Sequence, residues 1–181
     1  MTDQPSLALY TFGIFERPAE DPANDGFHQR NDPILEAVDR APGLVARSGY
    51  EGDPGPPSWG KQVYPRFFTD ENGDGWCPAT LSLWRDIESA FAFGYFGLHG
   101  EALPHGRAWF REGPWPPLVL WWHHGEAPPD WAEAVRRHHL LHDRGPGPEA
   151  FTFAQAFDPA GARMRIDKAR VRALAPGKPA R

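Results

Sequence analysis

The sequence of 181 residues carries a formal net charge of −5, and 40% of its residues are hydrophobic. That length and composition predict one globular domain and argue against a second full domain or a disordered chain. The longest uninterrupted apolar run, residues 118–122, is far too short to span a bilayer, and the single cysteine, Cys77, excludes an internal disulfide framework. Residues 1–4 show no secretory signal, so we predict a cytoplasmic protein that has no membrane partner.

Charge is unevenly distributed along the chain. Residues 161–181 contain five Arg and two Lys against one Asp, a net +6, which leaves −11 for residues 1–160. Basic tails can bind nucleic acid, but no aromatic residue that could stack on a base lies among these cations. We therefore predict a single α+β domain over residues 1–160, a solvated basic tail over residues 161–181, and no nucleic-acid partner.

The first half of the chain is rich in strand and turn signals. Aromatic and β-branched residues predict a strand over residues 7–15, and Asp32 before Pro33 predicts the start of a helix that ends at Arg40. Residues 51–60 form a loop rich in glycine and proline, and residues 70–75 form a turn. Further strands are predicted over residues 44–50, 64–69 and 79–84.

Asp86 is predicted to cap a helix whose apolar residues follow helical spacing. That stripe consists of Ile87, Ala90, Phe91, Gly94, Tyr95 and Leu98. Phe93 and Phe96 lie off the stripe, so the helix is expected to pack on more than one surface. His99 follows one turn after Tyr95, at the edge of the stripe.

The second half of the chain predicts a strand over residues 116–122 and a helix over residues 131–142. Asp130 and Glu133 resemble a capping box at the start of this helix. A last strand over residues 150–157 and a short helix over residues 166–174 follow. This order of elements favours an α+β fold, a ferredoxin-like antiparallel sheet with helices on one face.

Several segments together resemble the DUF3291 family, in the family's order and over roughly residues 7–157. They are Leu7-Ala8-Leu9-Tyr10-Thr11-Phe12-Gly13, Tyr64-Pro65-Arg66-Phe67-Phe68, Leu81-Ser82-Leu83-Trp84-Arg85-Asp86, Gly97-Leu98-His99, Trp109-Phe110, Val119-Leu120-Trp121-Trp122, Trp131-Ala132-Glu133-Ala134, Gly145-Pro146 and Ala150-Phe151-Thr152-Phe153. The resemblance implies a fold of the dimeric α+β barrel type, in which two sheets pair, and hence a homodimer. One departure is that Pro104 and Gly106 interrupt a stretch that is helical in relatives.

The resemblance also directs attention to His99. In haem-degrading proteins of this fold the axial histidine comes from the corresponding helix, and Trp84 is similar to a tryptophan that precedes it. An imidazole there can also act as an acid, a base or a hydrogen-bond donor near neutral pH. The alternative is a histidine that bonds the last carbonyls of a helix.

Aromatic side chains are candidates for lining a ligand pocket near His99, although most large aromatics serve ordinary cores. The candidates for contact with a small-molecule ligand are Tyr10, Trp84, Tyr95, Trp109, Trp121 and Trp122. Arg66 and Arg107 are candidates for holding an anionic group.

The histidines at positions 138, 139 and 142 share a helix, and two of them have the spacing of metal ligands. They lack the His-Glu-x-x-His arrangement, so we favour a structural role and predict no metal site. The chain also lacks a Gly-x-Ser-x-Gly elbow, a P-loop and a Gly-x-Gly-x-x-Gly fingerprint.

Three functions remain open. The first is an enzyme similar to the antibiotic-biosynthesis monooxygenases, which acts on an aromatic or hydrophobic metabolite and needs no cofactor. The second is a haem protein that uses His99 as its axial ligand. The third is a domain that binds a ligand without catalysis, since fold alone selects no chemistry.

Overall fold

Four strands form the central sheet of the computed structural model, which describes residues 4–175. They are β1 (Ser6–Phe12), β2 (Leu44–Arg47), β3 (Ala79–Trp84) and β4 (Leu118–His123), and a separate two-stranded ribbon contains β5 (Ala156–Phe157) and β6 (Arg163–Met164). The helices are α1 (Asp25–Asp39), α2 (Ile87–Tyr95), α3 (Gly97–Ala102), α4 (Gly106–Trp109), α5 (Trp131–Arg144) and α6 (Lys168–Leu174).

The sheet has the order β2-β3-β1-β4, and all of its neighbouring strands are antiparallel. With α1 after β1 and α2 after β3, this is a ferredoxin-like arrangement, which confirms the predicted fold class. β1 lies at the centre, where Tyr10 is opposite Leu81 of β3 and Val119 of β4. Because successive side chains of a strand point to opposite faces, β1 contributes to two separate cores.

One face of the sheet, here called the α2-side face, carries Leu7, Leu9 and Trp84. Val38 of α1 and Ile87 of α2 pack in the same core, so these two connecting helices lie on one side, as expected.

The opposite face, here called the α5-side face, carries Ala8, Tyr10 and Trp121, and all three are fully buried. Helix α5 covers it together with segment 48–78, which contains no helix or strand. Helices therefore pack on both faces of the sheet, whereas the sequence predicted them on one. The chain's own residues thus cover both faces of the sheet, and within residues 4–175 the sheet is open and closes no barrel. The homodimer stays a prediction.

Helix α1 begins at Asp25, and the predicted start at Pro33 is wrong. Pro33 lies inside the helix, where its missing N–H removes one hydrogen bond. The first turns are stabilised from outside the helix, because Asn24 Nδ2 donates to the carbonyl of Pro18 at 2.8 Å and a ring nitrogen of His28 lies 2.8 Å from the carbonyl of Ala19. Such tertiary contacts override the local signal of an Asp-Pro pair.

Residues 64–69 form no strand, contrary to prediction, because they lie across α5. The backbone N–H of Arg66 donates to His139 Nε2 at 3.0 Å, and the Arg66 guanidinium pairs with Asp143. The N–H of Arg66 is therefore bonded to a side chain and cannot donate to the carbonyl of a neighbouring strand.

The predicted strand over residues 150–157 is mostly irregular. Only residues 156–157 form a strand, β5, which pairs with β6. Phe151 exchanges two backbone hydrogen bonds with Leu120 of β4, at 2.9 and 2.8 Å. This isolated bridge extends the edge of the sheet by one residue.

Residues 167–174 pack against α2, although the sequence predicted a solvated tail from residue 161. Val171 of α6 is buried, the N–H of Asp167 donates to Glu88 at 3.1 Å, and Arg170 lies 2.5 Å from Asp86. Residues 176–181 of the predicted tail lie outside the described residues, and a domain boundary at residue 160 stays a prediction.

Between residues 4 and 175, no helix has both the length and the apolar character needed to cross a bilayer. The cytoplasmic location stays a prediction.

Candidate functional site

A cavity of about 400 Å³ opens on the α2 side of the molecule, between the end of α1 and helices α2, α3 and α6. Its lining is mostly apolar. The lining residues are Ala37, Arg40, Ala41, Pro42, Ser89, Ala92, Phe93, Phe96, Gly97, Leu98, His99 and Leu174. We call it the His99 cavity, because His99 is the one imidazole in its wall.

A break between α2 and α3 places His99 in this wall. The sequence predicted one helix to Leu98, but α2 ends at Tyr95 and the chain turns at Gly97, whose φ of +58° favours glycine. Gly100 is required for close packing, since a Cβ there would lie 2.4 Å from the carbonyl oxygen of Tyr95. The two glycines allow the chain to fold back so that His99 returns to the end of α2.

His99 has a defined tautomer. Its Nδ1 lies 2.7 Å from the carbonyl oxygen of Gly94. Because a carbonyl oxygen only accepts, Nδ1 carries the hydrogen and Nε2 keeps its lone pair. Burial lowers the pKa of His99, so the ring is neutral near pH 7.

These contacts combine two interpretations of His99 that the sequence left open. One ring nitrogen bonds a carbonyl at the end of α2, as a helix-terminal histidine does. The other nitrogen is free to accept a proton, to accept a hydrogen bond or to coordinate a metal. His99 thus has the state required of a base or an axial ligand.

Arg40 is the cationic residue in the cavity wall, and sequence analysis did not identify it. It is exposed, and it forms no salt bridge with any residue from 4 to 175. In sequence Arg40 precedes Ala41-Pro42-Gly43 and looks like any cation at the end of a helix. Only the fold of α3 and α6 over this end places it beside the cavity.

Two of the predicted aromatic residues lie close to the cavity without lining it. Trp84 stacks on Phe93 with ring centroids 5.5 Å apart, and its indole N–H donates to Ser82 at 2.9 Å. It therefore supports the wall from behind. Tyr95 stacks on Phe91 at 4.4 Å and is 44% exposed.

The other predicted site residues are dispersed. Tyr10 is buried on the α5-side face, and the indole of Trp122 donates to the carbonyl of Phe157 at 2.7 Å. Trp109 is buried against Phe27, with ring centroids 5.9 Å apart. Arg107 is exposed and lies 3.9 Å from Glu112. The structure does not bring these residues together with His99.

Neither Arg66 nor Arg107 lines the His99 cavity. Arg66 instead pairs with Asp143 of α5. The three histidines of α5 have separate partners. His138 lies 2.8 Å from the carbonyl of Pro116, His139 accepts from the N–H of Arg66, and His142 lies 2.8 Å from Asp143. Throughout the part of the chain that the structure describes, no three His, Cys, Asp or Glu residues are placed to hold a metal ion.

No curated protein and no solved structure matches this chain. Residues 6–168 match the family described as a domain of unknown function, DUF3291. Since this match covers 163 of the 181 residues, the chain belongs to the DUF3291 family.

Proposed function

We propose that this protein binds a small aromatic or hydrophobic metabolite in the His99 cavity, with His99 as the acid–base and hydrogen-bonding group. The observation that carries the proposal is a neutral imidazole, fixed by Gly94, in the wall of an apolar cavity of about 400 Å³. Pockets for small molecules have this size and this combination of an apolar lining with a few polar groups.

The lining also suggests the kind of ligand. Phe93 and Phe96 offer aromatic surfaces for a planar or branched apolar body. Arg40 can pair with a carboxylate or another anionic oxygen at one end of such a ligand. A hydrophobic molecule with one acidic group matches both features.

As an enzyme, the protein would act like a cofactor-free monooxygenase. His99 Nε2 would take a proton from an acidic O–H or C–H group of the substrate, and the resulting anion would react with dioxygen. A neutral histidine whose pKa is lowered by burial is in the correct protonation state for this step at neutral pH.

Haem binding is the second candidate, and the tautomer of His99 favours it. An axial histidine needs an unprotonated nitrogen while its other nitrogen donates to a backbone carbonyl, and His99 meets both conditions. Arg40 would pair with a propionate. Haem would supply a redox-active iron, and its absorption spectrum would distinguish this candidate from the first.

The third candidate is binding without turnover, as in a carrier or sensor domain. The cavity alone supports binding, and only a product would show catalysis. A metabolite that co-purifies with the protein and is released unchanged would favour this candidate over an enzyme.

The decisive experiment identifies what co-purifies with the protein, by mass spectrometry and absorption, and compares its occupancy in wild type and in His99→Asn. The Asn variant keeps a polar side chain but lacks the basic nitrogen, so occupancy or oxygen consumption should fall at least tenfold. His105→Asn is the matched control, because His105 is exposed on the same stretch and outside the cavity wall. Unchanged occupancy in His99→Asn would refute the site.

We also propose that the protein is a homodimer. Four apolar side chains between the end of α2 and the residue after α3 are each 39–47% exposed: Tyr95, Phe96, Leu98 and Leu103. Clustered exposed apolar side chains are typical of interaction surfaces. Light scattering after size exclusion should give twice the mass of 20.3 kDa, and Leu103→Glu, which leaves the cavity wall intact, should shift the protein to the monomer. A monomer across micromolar concentrations in wild type would contradict the dimer.

A further inference from the structure

Three polar atoms on the α5-side face have no hydrogen-bond partner among residues 4–175. They are Tyr10 Oη, Trp121 Nε1 and His138 Nδ1, and all three residues are fully buried. More than nine in ten buried polar groups of folded proteins are paired. Three exceptions on one face of one sheet therefore point to a molecule that pairs with them.

These residues come from elements that are packed together. In the register of β1 and β4, Tyr10 lies opposite Val119 and Ala8 lies opposite Trp121, so Tyr10 and Trp121 are diagonal neighbours. Such neighbours lie within reach of long aromatic side chains. His138 of α5 lies over β1, with its ring centroid 5.9 Å from that of Tyr10.

The free atoms complement one another chemically. His138 Nε2 lies 2.8 Å from the carbonyl of Pro116, so Nε2 carries the hydrogen and Nδ1 is an acceptor. Trp121 Nε1 can only donate, and the Tyr10 hydroxyl can donate or accept. A molecule that both donates and accepts hydrogen bonds would satisfy this set.

The surroundings favour an uncharged molecule. Burial raises the pKa of Tyr10 and of Cys77, and it raises the pKa of Tyr50 to about 12. All three groups are therefore protonated near pH 7. Burial lowers the pKa of His138 to about 4, so it too is neutral. The Arg66 guanidinium, whose charge also lowers the pKa of His138, pairs with Asp143 of α5.

Segment 48–78 encloses this region. It spans 31 residues without a helix or strand, and its Tyr50, Tyr64 and Phe67 pack against the core of the α5-side face. Irregular segments of this length within a domain are uncommon, and many of them cover a binding site.

We propose that the α5-side face contains a small interior site in which Tyr10, Trp121 and His138 bind one uncharged hydrogen-bonding molecule, beneath segment 48–78. An ordered water is its simplest occupant, since buried waters commonly form about three hydrogen bonds with polar groups that lack protein partners. This site lies on the opposite side of the sheet from the His99 cavity and does not depend on the function proposed for that cavity.

The first test measures whether Tyr10→Phe raises or lowers the melting temperature, Tm. If the Tyr10 hydroxyl is bonded to an enclosed molecule, Tyr10→Phe removes a hydrogen bond and lowers the Tm by several degrees. If the hydroxyl is unpaired, Phe removes an uncompensated polar group and raises the Tm. Tyr50→Phe is the matched control, because the Tyr50 hydroxyl on the same face donates to the carbonyl of Ala79 at 2.8 Å.

A second measurement identifies the occupant. A water-selective nuclear Overhauser experiment should show a long-lived water at the indole N–H of Trp121 and none at that of Trp84, which donates to Ser82. Native mass spectrometry would instead show an added mass if a larger neutral molecule is retained. A raised Tm in Tyr10→Phe overturns the proposal. A lowered Tm without a water signal or an added mass also overturns it, because the hydroxyl would then be bonded to the protein.

Discussion

The two sides of the central sheet each hold a histidine with nearly the same hydrogen bond, but His138 is fully buried and His99 is only partly buried. His99 and His138 each have one ring nitrogen close to a backbone carbonyl, at 2.7 and 2.8 Å, and burial lowers the pKa of both. His138 is fully enclosed, and its ring lies 5.4 Å from Phe12 and 5.8 Å from Phe67. His99 lies in the wall of a cavity of about 400 Å³.

The difference shows that a lowered histidine pKa does not by itself identify a functional site. On the α5-side face the histidine is part of a closed core, and burial is the largest cause of its lowered pKa, with smaller contributions from His139, His142 and Arg66. On the α2-side face burial coexists with space for a ligand. The α5-side face should therefore control stability, and the His99 cavity should control binding.

The largest effect is expected from the core of the α5-side face. Trp131 is fully buried and stacks on Tyr50 with ring centroids 5.9 Å apart. Trp131→Ala should lower the free energy of unfolding by about 3–5 kcal/mol, from lost transfer energy and a residual cavity. Chemical denaturation measures this change, and a loss below about 1 kcal/mol would mean that this core is loosely packed.

Lowering the pH should weaken the same face. The unfolded chain protonates His138 near its ordinary pKa of 6.5, whereas the folded protein does so only at about 4. The contribution of His138 to the free energy of unfolding is therefore fully present above pH 6.5. Roughly 3 kcal/mol of that free energy is lost as the pH falls from 6.5 to 4. His99 adds to this loss in the same direction.

Denaturant titrations at several pH values would give this profile. His138→Gln is a suitable comparison, because a glutamine can still donate to the carbonyl of Pro116 but cannot titrate. Its stability should vary less across this range than that of wild type, and an identical slope would show that His138 does not cause the loss.

A smaller effect should come from the docked part of the predicted tail. Val171 of α6 is buried against α2, so Val171→Ala removes two buried carbon atoms and should cost about 1–2 kcal/mol. Thermal unfolding would show it as a drop of several degrees. An unchanged Tm would support the boundary at residue 160 that the charge pattern indicated.

Local signals in the sequence predicted the parts of the fold that local physics determines. The caps at Asp86 and Asp130 are confirmed, since their carboxylates accept from the N–H groups of Ser89 and Glu133 at 2.8 and 2.6 Å. Gly145, with φ +73°, ends α5 at residue 144, two residues beyond the predicted end of that helix at residue 142. Apolar and aromatic composition bounded by turn residues also identified β1, β3 and β4, whose alternating residues fill two cores.

The remaining features depend on tertiary contacts. The helix start at Asp25 relies on contacts with residues 18–19, and residues 64–69 are irregular because α5 takes their backbone donor. The candidate site illustrates the same limit. His99 was found through resemblance, but Arg40 joins it only because α1, α3 and α6 meet, and residues far apart in sequence carry no shared local signal.

The smallest change in stability is expected at the rim of the His99 cavity. A substitution there should reduce ligand binding without reducing stability. Leu98 lines the cavity but is 47% exposed, so Leu98→Ala should change the free energy of unfolding by no more than about 0.5 kcal/mol. The same substitution removes apolar contact with any ligand in the cavity, so occupancy by the co-purified metabolite should fall about tenfold.

Val45→Ala is the matched control for Leu98→Ala, because Val45 of β2 is 55% exposed and lies outside the cavity wall. It should alter neither stability nor occupancy. Denaturation and quantitative mass spectrometry of the same preparations separate the two effects. If Leu98→Ala lowers stability as much as Trp131→Ala does, the cavity belongs to the structural core, and the division between a stabilising face and a binding face fails. If Leu98→Ala retains full occupancy, the metabolite does not bind in the His99 cavity.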